Sequence, residues 1–304
     1  MSSQRYLYFP GCKLNPFLPQ YGQSTRAVFA ALDIMLEEVE FNCCGYPVRH
    51  ENFAAAMLAA ARNLAMASDR GLPLMTPCKC CYGHLKHADH WLQKESSLRR
   101  QANALLSREG LSWRAGVSIR HLLTVLDEDI GARRLQERIV RPLTGLKVAA
   151  SYGCHALRPG NITQFDNPLT PNIFERLIAT TGATPVEWPL SLECCGHPLW
   201  QKNNRFALSL MAAKVGDAHQ SGAQVLATAC TYCQLQFDTV QADQASPEGQ
   251  VLPALLYTQL LGHAMAFRRM LWGFRPTEFL GNVVSIKTTV FCLYTGPASD
   301  FYSG

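Results

Sequence analysis

Short apolar runs alternate with amphipathic or alanine-rich stretches along most of this 304-residue chain. Residues 5–9 (RYLYF) read as a short buried strand that stops at Pro10-Gly11-Cys12. Residues 24–37 space their apolar positions as a helix, with Ser24 or Thr25 placed to cap it. Residues 39–41 read as a strand running into Cys43-Cys44-Gly45, residues 52–69 as an alanine-rich helix, and 72–76 as a strand ending at Pro77-Cys78. Residues 82–142 carry no repeated pattern, and their charged stretches at 94–100 and 127–141 read as solvated helices, so this segment is expected to be a helical insertion and linker. Then the pattern returns. Residues 146–152 (LKVAASY) form a strand ending at Gly153-Cys154-His155. A helix at 171–181, a strand-like stretch at 185–188 and Cys194-Cys195-Gly196 follow. An alanine-rich helix at 206–219 and a strand at 224–228 lead into Cys230-Thr231-Tyr232-Cys233. Residues 253–271 are expected to close the second half as a helix, and 283–304 match neither half.

Strand–helix alternation of this kind predicts an α/β protein with parallel sheets. Because the second copy follows the first at an offset of 151 positions (Cys44 to Cys195), two pseudo-symmetric, Rossmann-like domains are expected. They would span 1–144, including the helical insertion, and 145–282, with a divergent tail at 283–304. In each half cysteines sit at strand ends, where open α/β sheets bind their ligands. The length supports two cores, and 48% hydrophobic with 17% charged residues is the make-up of an ordered globular protein. The formal charge of +5 is scattered without a basic run, which argues against nucleic acid. No run of about 18 apolar residues exists, so no transmembrane segment is expected. Residues 1–10 lack a charged-then-apolar secretory layout, so a cytoplasmic address, where thiols stay reduced, is expected.

Ten of the twelve cysteines fall into two matching sets. The first is Cys12, Cys43, Cys44, Cys78 and Cys81; the second is Cys154, Cys194, Cys195, Cys230 and Cys233. From the second cysteine of the adjacent pair to the downstream C-x-x-C is 34 positions in one half and 35 in the other. Repetition in a reducing compartment points to metal or redox chemistry, not disulfide staples. Structural zinc takes four ligands. Five thiols, two of them adjacent, more readily reach several metal atoms, so an iron–sulfur cluster is favoured and zinc is the lesser alternative. Gly45 and Gly196 would allow positive φ and close backbone approach to such a group. Ordinary ferredoxin spacing is absent, so electrons are expected to pass through a partner protein.

These residues carry a resemblance to the B subunit of heterodisulfide reductase, a family built from two cysteine-rich CCG domains. Besides the cysteines, it rests on Phe9-Pro10-Gly11-Cys12, Ser24-Thr25-Arg26, Thr76-Pro77-Cys78, Arg120-His121-Leu122-Leu123, Tyr152-Gly153-Cys154-His155, Leu157-Arg158-Pro159, Phe165-Asp166-Asn167-Pro168, Thr228-Ala229-Cys230 and Tyr257-Thr258-Gln259-Leu260-Leu261-Gly262. The resemblance runs from about Tyr6 to about Asn282. It implies that each five-cysteine set holds a noncubane [4Fe–4S] cluster and that a disulfide is cleaved between the two. Electrons would come from a small C subunit with cubane iron–sulfur clusters, fed in turn by a flavoprotein subunit. The substrate would be a disulfide or thiol, including a lipoate-bound one as in the sulfur-oxidising bacterial versions.

Two departures stand out. Cys80 makes the first downstream motif Cys78-Lys79-Cys80-Cys81, where it is either a bystander or a replacement ligand. Cys292 lies beyond the resemblance and is not expected to be a ligand. His155 and His197 flank the cysteine motifs and are candidates for proton delivery, packing being the competing reading. Lys79 and Arg158 either hold an anionic substrate or are solvated; Arg120-His121 either approach the site or cap and cover the surface. The competing functions are a non-catalytic iron–sulfur electron-transfer subunit of a hydroxyacid- or quinone-linked oxidoreductase, and a zinc scaffold.

Overall fold

A computed structural model describes residues 4–244 and 251–267 of the chain. The tail from 283 and Cys292 lie outside the described residues. Two four-stranded, fully parallel sheets carry the fold. The first holds β1 (Arg5–Tyr8), β2 (Met35–Glu37), β3 (Leu74–Thr76) and β4 (Ile119–His121) in the order β2-β1-β3-β4. The second holds β5 (Lys147–Ala150), β6 (Thr184–Val186), β7 (Val225–Thr228) and β8 (Ala254–Leu256) in the order β6-β5-β7-β8. Both are therefore the same α/β unit, as the repeat predicts. The central strands β3 and β7 are buried along their whole length, the pattern of parallel strands covered on both faces.

Equivalent helices cover the sheets in the two halves. Phe53–Arg70 starts at Asn52, whose side chain accepts from the Ala55 N–H (3.0 Å); Asn204–Gln220 starts at Asn203, which accepts from the Phe206 N–H (3.1 Å). Their alanines admit close backbone approach. Gly45 (φ 95°) and Gly196 (φ 88°) lie so near Ala56 and Ala207 that an added Cβ would stand 2.5 Å from the Ala56 or Ala207 carbonyl oxygen. No other residue fits either place.

Four expectations need correction. The helix expected at 24–37 is Pro19–Ala31; Asp33 takes a left-handed φ of 57° and turns the chain, and Met35–Glu37 is strand β2. Residues 39–41, expected as that strand, are the loop leading to Cys43. Residues 82–142 are not an insertion, because they supply β4, which pairs with β3 from Leu74↔Ile119 to Thr76↔His121. Of the closing helix expected at 253–271, Ala254–Leu256 is β8 and Tyr257–Ala264 is helix, while 268–271 lie outside the described residues.

The two units interlock. Ser24 and Thr258 share a buried hydroxyl hydrogen bond of 2.7 Å, so the last helix of the second half packs on Pro19–Ala31 of the first. In the other direction, the Tyr82 hydroxyl donates to the Thr163 carbonyl (2.6 Å). One continuous buried core runs through both sheets.

Candidate metal centre

The strand order fixes where a ligand can sit. Leaving β1, the chain crosses to β2 on one side and later reaches β3 on the other, and the crevice between β1 and β3 is the topological switch point of such sheets. Cys12 follows β1 and Cys78 follows β3; in the second unit Cys154 follows β5 and Cys230 follows β7. Cys43-Cys44 and Cys194-Cys195 come in from the loops after β2 and β6, turned by Gly45 and Gly196.

In the first site Cys43 Sγ stands 3.4 Å from Cys12 Sγ, and Cys44 Sγ 3.5 Å from Cys81 Sγ. The Gly45 N–H points at Cys43 Sγ (3.5 Å), and in the second site the Gly196 N–H points at Cys194 Sγ (3.4 Å). None of the eleven cysteines among the described residues is in a disulfide. A tetrahedral metal with metal–sulfur bonds of about 2.3 Å holds its thiolates about 3.8 Å apart. Sulfurs already crowded to such separations, with glycine backbone beside them, fit a thiolate-ligated metal centre. Gly11 adds to the fit: a Cβ there would lie 2.9 Å from Cys81 Sγ.

The adjacent cysteine pairs distribute charge alike in the two sites, but the second site also has Cys230, whose burial is outweighed by thiol hydrogen bonds from Cys233, Cys78 and Cys80 that hold it well down. Thiol hydrogen bonds from Cys12 and then Cys44 draw Cys43 down to about 2, and those from Cys154 and then Cys195 draw Cys194 down to about 2. Their donors move the other way: the Cys43 thiolate pushes Cys12 far up, and the Cys194 thiolate raises Cys195 to about 12. Neighbouring thiols in each site thus share protons around the first cysteine of the adjacent pair, an arrangement that a soft cation would replace.

The two sites meet at the seam between the sheets. Cys78 Sγ is 4.0 Å from Cys230 Sγ and 3.0 Å from the Thr231 hydroxyl; Cys80 Sγ is 3.8 Å from Cys230 Sγ. Cys78, Cys80 and Cys230 bring their sulfurs within 4.8 Å of one another, all buried. Cys80 is therefore no surface thiol, whichever role it takes. Above it opens a pocket lined by Cys12, Cys44, Cys80 and Cys81 from one unit and Thr231 and Tyr232 from the other.

His155 spans the seam. Its Nδ1 is 3.0 Å from Cys154 Sγ, and its Nε2 is 2.8 Å from the hydroxyl of Tyr46 in the first unit. Burial lowers its pKa, so the neutral ring is favoured. His197 is buried, its pKa pushed down to about 4 chiefly by burial; its Nδ1 meets Gln236 Oε1 at 3.0 Å and its ring stands edge-on to Tyr232. Arg158 is exposed. Lys79 is neither solvated nor open to a substrate: it is 2% exposed, donates to the Ser151 carbonyl (2.9 Å) and lies over the rings of Phe174 and Tyr152. His121 caps. Its Nδ1 accepts from the Leu123 N–H (3.1 Å), and its Nε2–H donates across the seam to the Ala229 carbonyl (3.2 Å).

Several residues here escape a reading of one stretch of sequence at a time. Asn63 donates to the carbonyls of Asn42 and Cys43, tying down the first cysteine loop. Lys214, at the matching place in the other unit, donates to those of Leu190, Ser191 and Glu193 (2.6, 3.3 and 3.0 Å). Laying the second half over the first at the offset of the cysteine pairs also matches Tyr46 with His197, and that comparison is the signal that finds them.

Known proteins share this pattern. The family model described as a cysteine-rich domain, CCG, matches residues 6–86 and again 148–238. The 8-methylmenaquinol:fumarate reductase membrane anchor subunit of Wolinella succinogenes is 31% identical over 266 residues, covering 86% of this chain and 92% of that protein. The B subunit of the ferredoxin/F(420)H(2)-dependent CoB-CoM heterodisulfide reductase of Methanosarcina acetivorans is 28% identical over 92% of this chain and 97% of its own. A protein of Archaeoglobus profundus described as similar to the heterodisulfide reductase B subunit is 29% identical over 94% and 96%. A crystal structure of a hypothetical protein from Helicobacter pylori shares the fold with a TM-score of 0.69 at 15% identity; it aligns with 91% of this chain, which spans about half (51%) of that one. Among the described residues no helix is long and apolar enough to cross a membrane.

Proposed function

The chain belongs to the CCG cysteine-rich domain family that includes the heterodisulfide reductase B subunit, and from that premise we propose that it is the catalytic iron–sulfur subunit of a heterodisulfide-reductase-like complex. Cys12, Cys43, Cys44, Cys78 and Cys81 hold one noncubane [4Fe–4S] cluster, and Cys154, Cys194, Cys195, Cys230 and Cys233 the other. When bound, the clusters supply single electrons and iron sites with affinity for sulfur. The observation that carries this reading is the 4.0 Å approach of Cys78 and Cys230 across the seam. Two sites that touch there can address a single S–S bond, and a small pocket beside the seam is lined by cysteines of the first site with Thr231 and Tyr232 of the other unit. Reducing that bond takes two electrons, one for each site to deliver.

The protein's own side chains handle position and protons. His155 joins a site sulfur to the Tyr46 hydroxyl and, once its neutral ring has taken up a proton from solvent, is placed to pass that proton to a departing thiolate. His197 assists by holding Tyr232 at the pocket wall, its Nδ1 being engaged by Gln236. The seam residues also keep the two sites at fixed separation, which is what a reaction shared between them requires. Electrons arrive from a small C subunit with cubane iron–sulfur clusters and, behind it, a flavoprotein subunit, in the cytoplasm. The substrate class is a disulfide or thiol, free or lipoate-bound, handled in either direction; a bound thiol or persulfide is the oxidative counterpart.

One finding favours a second reading, an electron-transfer subunit of a quinone-linked oxidoreductase: the Wolinella succinogenes relative is named for a quinol:fumarate reductase. Turnover separates the two. Anaerobically purified, iron-loaded protein given an artificial one-electron donor should reduce a small mixed disulfide on its own. Loaded protein that takes up electrons and leaves every disulfide intact would favour the electron-transfer role.

A further inference from the structure

The two cysteine sites are near-copies in geometry, yet their electrostatic surroundings differ. Asn63, which ties the first cysteine loop with neutral amide hydrogen bonds, corresponds to Lys214 at the second. Thr231, the residue after the first cysteine of the second C-x-x-C, corresponds to Lys79 in the first. Lys79, however, does not serve the site of its own unit. Its side chain crosses the seam to donate to the Ser151 carbonyl, at the end of β5; burial foremost lowers its pKa, and the Cys233 and Cys230 thiols oppose that. For Lys214, also lowered foremost by burial, the opposing thiols are Cys233, Cys195 and Cys194. Two buried lysines, 2% and 1% exposed, thus hold backbone carbonyls of the second unit, Lys79 that of Ser151 and Lys214 that of Glu193 next to Cys194, while the pseudo-equivalent positions around the first site are Asn63 and Thr231.

We propose that this asymmetry makes the second site, Cys154 to Cys233, the more easily reduced of the two, so that the first electron to enter comes to rest there. The inference rests on the reading that both sites hold iron–sulfur clusters.

Geometry argues that Lys214 is an ammonium: its Nζ has three carbonyl acceptors, and only the charged form carries three N–H donors. A fixed cation in a water-poor interior stabilises whichever state of a neighbouring group is more negative, and for a cluster that is the reduced state. Hydrogen bonds to sulfur also tune such centres, but the Gly45 and Gly196 donors match, so they do not separate the sites. Exposure separates them only at Cys12, which is exposed where Cys154 is half-buried. Water there would favour reduction of the first site, but only at one of five sulfurs. Lys13, beside Cys12, is half-buried, and its Nζ lies over the Phe17 ring. Glu175 offsets part of the Lys79 charge and already accepts from the Tyr152 hydroxyl (2.5 Å); no carboxylate figures among the groups that act most on Lys214.

The reduction is a one-electron step, the electron supplied in the test by a low-potential mediator and no proton taken up. Iron-loaded protein is titrated potentiometrically and followed by electron paramagnetic resonance, the second site's signal being the one that Cys195→Ser loses. Wild-type protein should show two midpoints, the second site's the higher. Lys214→Asn, which copies the first site, should cut the ratio of reduced to oxidised second site at a fixed potential by about tenfold, about 59 mV for a one-electron couple, and leave the first site alone. Asn63→Lys should move the first site's midpoint up, and Lys79→Thr should lower the second's; Lys214→Met stands in should the asparagine variant not fold. A second-site midpoint at or below the first, or one that the lysine variants leave in place, overturns the proposal while the cluster reading stands. Protein purified without iron under anaerobic conditions overturns both.

Discussion

Cys78 and Cys230, 152 positions apart in sequence, place their sulfurs 4.0 Å apart. They are equivalent residues of the two halves, each preceding a helix at the end of a central strand, so they lie close to the pseudo-twofold relating the sheets. The repeat has therefore not merely doubled a binding site. By packing the two strand ends against each other it has brought Cys78 and Cys80 of one half into a buried cluster with Cys230 of the other.

Metal content tests the site reading most directly. Two five-cysteine sites with four irons each give about eight irons per chain, in brown, oxygen-sensitive protein. About four irons would mean one site is empty. Zinc in place of iron would reject the iron–sulfur reading. Since metal binding is linked to folding, stripping the metal should also lower the thermal midpoint.

Cys80 stands 3.8 Å from Cys230 Sγ, inside the seam, yet Cys78 and Cys81 already complete its own set. Cys80→Ala is expected to keep the iron content and the spectra of both sites. Loss of one site's signal would show Cys80 to be a ligand.

Much of this was legible beforehand, and what was not has physical causes. Cysteines at strand ends declared themselves because their spacing repeats. Strand β4 did not, being three residues long with no cysteine after it, in a stretch otherwise rich in helix and charge. The helix before β2 reads on to residue 37 because Ile34 and Leu36 fall in its apolar register; the turn at Asp33 lacks the glycine or proline that usually signals one. Lys79 resisted for another reason. Lysine is rarely buried, and what buries it, the rings of Phe174 and Tyr152, comes from the other half of the chain.

The seam should be intolerant of bulk at Gly83. A Cβ there would stand 2.1 Å from the His155 carbonyl oxygen, a backbone atom of the other unit that cannot rotate away. Gly83→Ala should cost roughly 1–3 kcal/mol or more, the range for forced overpacking, and disturb the Tyr46–His155 contact. Gly153→Ala places its Cβ 3.5 Å from Cys233 Sγ but strains a φ of 70°, so its loss should arise from backbone strain and leave the seam in place. Thermal midpoints of the two variants, with disulfide turnover, check this; an unchanged midpoint for Gly83→Ala would contradict the packing.

Acid should weaken the fold partly through His121. Burial, foremost, holds its pKa down at about 3, and its Nδ1 must stay unprotonated to accept from Leu123. Unfolded, the ring titrates near 6.5. Between those values the unfolded state binds the extra proton, so stability is lost as pH falls below about 6.5 and the loss is complete near 3. His121→Asn keeps an acceptor at the cap without titrating there. Its stability should therefore fall less steeply over that window than wild type, as read from denaturant midpoints; parallel curves would refute the assignment.

Catalysis shared between the sites predicts a pattern of rates that a relay does not. If both sites engage one S–S bond, losing either should abolish turnover rather than halve it. Groups that act as a unit are strongly non-additive, so a double variant should be little worse than either single one. Cys44→Ala and Cys195→Ala occupy equivalent positions, buried, one in each set. They can be assayed singly and together with an artificial donor and a small disulfide, which takes docking of other subunits out of the comparison. Each variant is first shown to be folded and to retain the iron of its untouched site. Turnover lost in both singles, with no further loss in the double, fits joint capture of the two sulfurs across the Cys78–Cys230 seam. Substantial turnover in either single variant would leave that site as a relay or a structural centre and confine the chemistry to the other.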